Sequence, residues 1–191
     1  MKYMKLPSSS EVEQELMREQ YKFRYRRTLK STVFALITAA AVAVLVATLW
    51  MPVLQIFGSS MTPTLQEGEI VVSIKAEDLE SGDIIAFYYG NKVLIKRYIA
   101  GPGSWVDIRE DGTILVDGVV LEEPYLTEKA FGICDLELPY QVPEETYFLV
   151  GDQRSTSVDS RHSSVGCIST EQIVGRIVFR VWPFESFGIV E

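Results

Sequence analysis

The sequence predicts a mainly β domain carried on a single N-terminal apolar helix, and three observations support that expectation. Between Lys30 and Glu67 there is no charged residue, and positions 31–51 are almost wholly apolar. A run of about 20 such residues is enough to cross a ~30 Å hydrocarbon layer as a helix. After residue 52 the apolar residues fall in short β-branched or aromatic runs bounded by Gly, Asn and Asp, with no 3.6-residue period sustained over three turns. Two Asp-Gly steps, Asp111-Gly112 and Asp117-Gly118, lie between such runs. Each is a hairpin signal, because both central residues of a type I′ turn need φ > 0.

The chain divides by charge. Residues 1–30 hold eight Lys or Arg and four Glu, a net +4, whereas residues 52–191 hold ten basic and 22 acidic residues, a net −12. The overall −8 argues against a nucleic-acid partner, which would call for a basic face. The basic residues crowd the N-terminal flank of the apolar run. The positive-inside bias therefore predicts a cytoplasmic segment over 1–30, with a charged helix at 11–27, and a transmembrane anchor over 31–51 in the plasma membrane lipid. A β-rich domain over 52–191 then lies outside the cytoplasm. Trp50 stands where an interfacial aromatic is expected. A cleaved secretory leader would also be basic and then apolar, but its apolar core runs to only ~7–15 residues.

Along the exported part, strands are expected at 69–75, 83–89, 93–100, 104–110, 113–116, 119–121, 146–150 and 173–182. About 140 residues suffice for a real core. Cys134 and Cys167 both fall on the side where a disulfide is chemically permitted, and the sequence leaves their pairing open. There is no CxxC or Cys/His cluster and only one histidine, so no metal site and no cofactor are expected.

Three segments carry candidate chemistry. In Gly58-Ser59-Ser60-Met61-Thr62-Pro63-Thr64-Leu65, a serine sits in a turn that presents its hydroxyl. In Val93-Leu94-Ile95-Lys96-Arg97, the apolar strand pattern turns either Lys96 or Arg97 inward, and a desolvated lysine loses its charge more readily. The segment from Gly151 to Arg161 is dense in small polar and charged groups, and its carboxylates Asp152 and Asp159 can pair with Arg154 or Arg161. Ser60 needs a base to act as a nucleophile, and Lys96, His162 or a carboxylate could supply it. A hydrophobic mouth at positions 54–57 lies close behind the anchor.

Taken in order, these segments resemble the type I signal peptidases, membrane-bound serine proteases that use a Ser–Lys dyad. The matching motifs are S-M-x-P-T-L at 60–65, G-D-I-x-x-F at 82–87, I-K-R at 95–97, the D-G…D-G…E-P-Y-L run at 111–126 and G-D-x-R-x-x-S-x-D-S-R at 151–161. The resemblance implies a β-barrel or β-sheet catalytic domain, signal peptides of exported preproteins as substrates, Ser60 as nucleophile and Lys96 as general base. It further implies that Ser157 holds the lysine amine and that Asp159 and Arg161 form a structural ion pair. Gly58 occupies the position of a serine that completes the oxyanion hole in some members. Leu54, Ile56, Val71, Ala86 and Ile95 would line pockets for two small substrate side chains.

The chain departs from the family pattern at Ala100-Gly101-Pro102-Gly103-Ser104, where an acidic residue usually closes the segment, and at Gln153, where Asn is usual. Both departures are expected to touch scaffolding rather than the dyad. Two alternatives remain at this point: a Ser-His-Asp hydrolase built from Ser60, His162 and Asp159, and a non-catalytic anchored assembly factor on the same fold.

Overall fold

The structure is a computed structural model that describes residues 9–75 and 78–190, with the side chains of all of these except residues 11 and 46–50. The basic residues Lys2 and Lys5 and the Trp50 side chain, which bear on the expected flank and interface, lie outside the described residues. The chain divides into two units, residues 1–47 and 48–191.

The first unit is a helix, α1 (Ser9–Trp50). The expected charged helix and the expected span are continuous, because no Gly or Pro interrupts residues 9–51, and Pro52 then stops the helix. Its 42 residues measure about 63 Å, twice a hydrocarbon layer. The stretch Val12–Leu45 contains a window long and apolar enough to cross a membrane. Phe34, Leu36, Ile37 and Val42 point to different sides of the helix and all are exposed, so the helix has no single apolar face that packing on one side could cover.

The second unit is mainly β, with single-turn 3₁₀ helices at Thr170–Gln172 and Phe184–Ser186. One antiparallel sheet runs β1 (Val53–Gln55), β2 (Ile70–Ile74), β11 (Ile173–Trp182), β3 (Ile84–Tyr89), β4 (Lys92–Ala100), β9 (Thr146–Val150) and β10 (Ile168–Ser169), and β12 (Gly188–Ile189) pairs with β11. A smaller sheet runs β7 (Val119–Val120), β6 (Ile114–Val116), β5 (Trp105–Ile108) and β8 (Tyr140–Gln141). The larger sheet is open, with β1 and β10 at its ends, rather than closed into a barrel. All eight expected strands are present, their ends moved by at most two residues. The strands that the sequence does not announce, β1, β8, β10 and β12, have two or three residues each, too few to show a period.

The two Asp-Gly steps part company. Asp117 and Gly118 have φ of 52° and 79°, the two positive values of a type I′ turn joining β6 to β7. At the first step only Gly112 is positive, at 84°. There the Asp111 carboxylate accepts the Thr113 N–H at 2.9 Å, so the side chain closes a wider turn in place of the I′ geometry. The disulfide left open by the sequence is not formed: Cys134 and Cys167 are free, half-buried thiols.

The strand order matters most for what it brings together. Residues 56–69 form a loop between β1 and β2, closed at its base by Ile56 N–H to Glu69 O (2.8 Å) and Gly68 N–H to Ile56 O (2.9 Å). Met61 and Leu65 anchor this loop in an apolar cluster with Ile56, Val71, Ala86 and Ile177. The β4–β9 pairing, Arg97 opposite Val150, sets Gly151 and the segment after it beside the loop.

Candidate active site

Ser60 sits in the turn that follows Gly58, whose φ of 79° favours glycine, although a Cβ there would meet nothing within 4 Å. Gln153 N–H donates to the Ser60 carbonyl at 3.0 Å, and Thr64 Oγ1 donates to Asp152 Oδ2. From the other side, Arg180 Nη2 donates to Thr64 O at 2.7 Å. The loop is thus held from both flanks, and its serine has little freedom of position.

Lys96 reaches the same place from β4. Its Nζ lies 2.7 Å from Ser60 Oγ, 36 residues away in sequence. The residue is 4% exposed. Burial lowers its pKa below the ordinary lysine value, and Arg161 adds to the lowering, while Asp159 and Asp152 oppose it. A buried amine of lowered pKa in contact with a serine hydroxyl can accept its proton, which is the arrangement a Ser–Lys nucleophile requires.

Behind the pair lies a buried ionic network that the sequence showed only in part. Asp159 and Arg161 pair as expected, with Nε to Oδ1 and Nη2 to Oδ2 both at 2.9 Å, and Asp159 also accepts the Gly151 N–H. Asp152, however, pairs with Arg97 rather than with Arg154 or Arg161, through bonds of 2.9 and 2.8 Å. Arg154 pairs with Glu123 of the E-P-Y-L run. Tyr125 of the same run donates to Glu123 at 3.0 Å and lays its ring 3.7 Å under the Arg97 guanidinium. Burial and the Glu123 charge push the Tyr125 phenol up. Sequence reasoning missed Glu123, Tyr125, Thr64 and the role of Arg97. The available signal was chemical: an arginine next to an inward lysine in an apolar strand must find a carboxylate if it is buried.

The other expected site residues fall as follows. Ser157 is buried, but its Oγ has no hydrogen-bond partner among the described residues, and the lysine amine donates to Ser60 instead. Leu54, Ile56, Val71, Ala86 and Ile95 share one apolar cluster beside Ser60. Leu54 and Ile95 face a groove of about 710 Å³ between β1 and residues 92–95 of β4. Val71 and Ala86 are fully buried and do not line it, contrary to the expectation that they would wall a substrate pocket. A depression of about 40 Å³ adjoins Ser60, bounded by Ile56, Met61 and Ile95. Ser104 lies in the turn before β5, away from these contacts. Gln153 touches the Ser60 turn only through its backbone, while its side chain turns to Ser155.

His162 offers no alternative base. Its Nδ1 accepts the Ser164 N–H at 3.1 Å, its Nε2 lies 3.7 Å from Asp135 Oδ2, and Asp159 is occupied by Arg161. Among the described residues no group of three or more His, Cys, Asp or Glu could hold a metal ion.

Comparison with known proteins identifies the family. Residues 28–182 match the family described as signal peptidase, peptidase S26. A signal peptidase IB of Staphylococcus aureus is 36% identical over 150 residues, covering 68% of this chain and 77% of the relative. The chloroplastic thylakoidal processing peptidase 1 of Arabidopsis thaliana is 35% identical over 166 residues, covering 78% of this chain and 47% of its own. A solved signal peptidase I from Enterococcus faecalis covers 53% of this chain and 98% of its own, at 29% identity and a TM-score of 0.46. With a family match over most of its length, this chain belongs to the signal peptidase family, peptidase S26, and is a hydrolase.

Proposed function

We propose that the chain is a membrane-anchored serine endopeptidase that removes signal peptides from exported preproteins, with Ser60 as nucleophile and Lys96 as general base. The 2.7 Å contact between the buried Lys96 amine and the Ser60 hydroxyl carries this reading. Neutral Lys96 takes the Ser60 proton as Oγ bonds to the scissile carbonyl carbon, and negative charge develops on the carbonyl oxygen. The Ser60 amide, which donates to no acceptor among the described residues, is the natural stabiliser of that charge. The ammonium then gives its proton to the leaving amide nitrogen, and the C–N bond breaks to leave an ester on Ser60. Water, deprotonated by the same amine, hydrolyses the ester and restores the serine. Asp159 and Asp152 favour the transient ammonium without touching it.

The groove suggests how substrate is held. β1 ends the sheet, and β4 meets β9 only from Arg97 onward, so the outer edge of β1 and one edge of residues 92–95 both lack a partner strand. An extended peptide laid between them would pair its backbone with both. The 40 Å³ depression beside Ser60 is about the share of one water, ~30 Å³, and admits an alanine methyl better than a branched side chain. The basic N-terminal half of the helix supports an orientation with residues 1–30 in the cytoplasm and 52–191 outside the plasma membrane, in contact with lipid and the emerging preprotein.

Purified full-length protein in detergent should cleave a preprotein bearing Ala-x-Ala at the junction and leave it intact when Ser60→Ala is introduced. Cleavage by Ser60→Ala protein would overturn the assignment. Protease added to spheroplasts should digest residues 52–191; their protection would reverse the orientation.

A further inference from the structure

The groove wall holds one charged side chain that the proposed chemistry does not use. Among the groove-lining residues Leu54, Gln55, Phe57, Val93 and Ile95 stand apolar or neutral, while Lys92 carries a full charge. The second unit is strongly acidic, and five of its ten cations, Arg97, Arg154, Arg161, Arg176 and Arg180, are committed to carboxylates. Lys96 is committed to Ser60. Lys92 is exposed and pairs with no carboxylate among the described residues. A lone cation at the mouth of an apolar groove is a local inversion of the field around it, and low-dielectric walls focus such a field.

Its distance from the reacting atoms fixes which part of a substrate it meets. Lys92 precedes Lys96 by four residues on β4, about 13 Å of strand at ~3.3 Å per residue. An extended peptide lying along this edge advances at the same rate. With the small side chains before the cut seated in the depression beside Ile56 and Ile95, the residues preceding them run on along the groove from Ile95 towards Lys92, and the side chains four to six residues before the cut come within reach of its ammonium.

We infer that Lys92 is a specificity-determining residue, favouring a carboxylate and disfavouring a basic side chain four to six residues before the cut. This rests on the proposed use of the groove for substrate. It adds a charge preference to a recognition surface that is otherwise apolar.

The test uses three fluorescent peptides that share one Ala-x-Ala junction and differ only in carrying Asp, Asn or Lys five residues before the cut. Each is assayed at low and high salt with the full-length protein and with Lys92→Glu, Lys92→Met and Lys129→Glu. The quantity read is the Asp-to-Lys ratio of kcat/KM, from which any general loss of activity cancels. An exposed pair is worth about 1.4- to fivefold, and Lys92→Glu replaces attraction with repulsion for one peptide and does the reverse for the other. The ratio should fall about tenfold in Lys92→Glu, fall less in Lys92→Met, and shrink toward one with salt. Lys129→Glu changes net charge equally but lies outside the groove, and should leave the ratio as it is. An unchanged ratio in Lys92→Glu, or an equal change in Lys129→Glu, would overturn the inference. Peptide binding to Ser60→Ala protein, followed by fluorescence anisotropy, gives the same ratio without cleavage. Absent cleavage with a preserved binding ratio would therefore count against the Ser60–Lys96 chemistry alone.

Discussion

Replacing Lys96 with arginine keeps the charge and most of the length while removing the ability to accept a proton. An ordinary lysine, at 10.5, is about 0.3% neutral at pH 8, and each unit of lowering raises that fraction about tenfold until the pKa reaches the pH. Burial at 4% exposure lowers the Lys96 value, so the reactive fraction in the enzyme is larger than this floor. Arginine, with a pKa above ~12, is neutral to at most about 0.01% at the same pH. The loss from protonation alone is then at least ~30-fold against an unshifted lysine, and larger by each decade of lowering. The longer guanidinium must also fit where Nζ stands 2.7 Å from Oγ, against the Arg161 pair. A fall in kcat/KM of about 10³-fold or more is expected, close to that of Lys96→Ala. The wild-type rate should rise with pH, tenfold per unit, until it levels at the lowered pKa of the amine. His162→Ala should keep most of the activity, since its ring contacts Ser164 and Asp135. The assay is initial-rate cleavage of one quenched peptide by each protein from acid to alkaline pH. Activity above a few per cent in Lys96→Arg, a pH-independent rate, or collapse in His162→Ala would refute the reasoning.

The same amine has a consequence for stability. Its folded pKa is lower than its unfolded one, so between the two values the unfolded chain holds the extra proton and stability rises with pH. Lys96→Met should therefore raise the thermal midpoint by a few degrees at neutral pH, with the gain shrinking as pH approaches 10.5, while activity is abolished; a lower midpoint by calorimetry would contradict this. Asp152→Ala leaves the Arg97 guanidinium buried without its carboxylate, which costs about 3–5 kcal/mol and should lower the midpoint by roughly 10 °C. A change within a degree or two would mean that the pair is dispensable. Gly151→Ala places a Cβ 2.6 Å from the Ser60 carbonyl oxygen and against Ser157 Oγ. It should reduce kcat at least tenfold with an unaltered circular dichroism spectrum, and an unimpaired kcat would show that the turn has slack.

Local pattern accounts for the elements that are legible in the sequence. A strand such as β11 announces itself because ten consecutive residues are β-branched, aromatic or alternating and a proline follows them. The helix announces itself because the 21 almost wholly apolar positions 31–51 have few other places to go. Ser60 and Lys96 are legible as a pair only through the resemblance to a known family, since the residues alone left His162 or a carboxylate equally open as the base; in the structure Lys96 Nζ lies 2.7 Å from Ser60 Oγ. The partners of the arginines are not legible. Two acidic and two basic residues within 151–161 invite pairing among themselves, yet only Asp159 and Arg161 do so.

Tertiary structure decided the rest, and the reason is sheet order. Placing β4 between β3 and β9 carries Arg97 to Asp152, 55 residues on, and folds Glu123 against Arg154 from a loop outside the main sheet. No local rule connects those positions, because an ion pair depends on which backbones come to lie side by side. The groove has the same origin: β1 at one end of the sheet and residues 92–95 of β4, four strands further along it, each keep an unpaired edge, and both line the same groove although 37 residues separate them in sequence. By itself the sequence determined an apolar helix, a β domain and the chemistry available to it. Long-range pairing then decided which side chains were stripped of water and which were left facing a peptide, and desolvation depends on all the atoms around a group rather than on its neighbours in the chain.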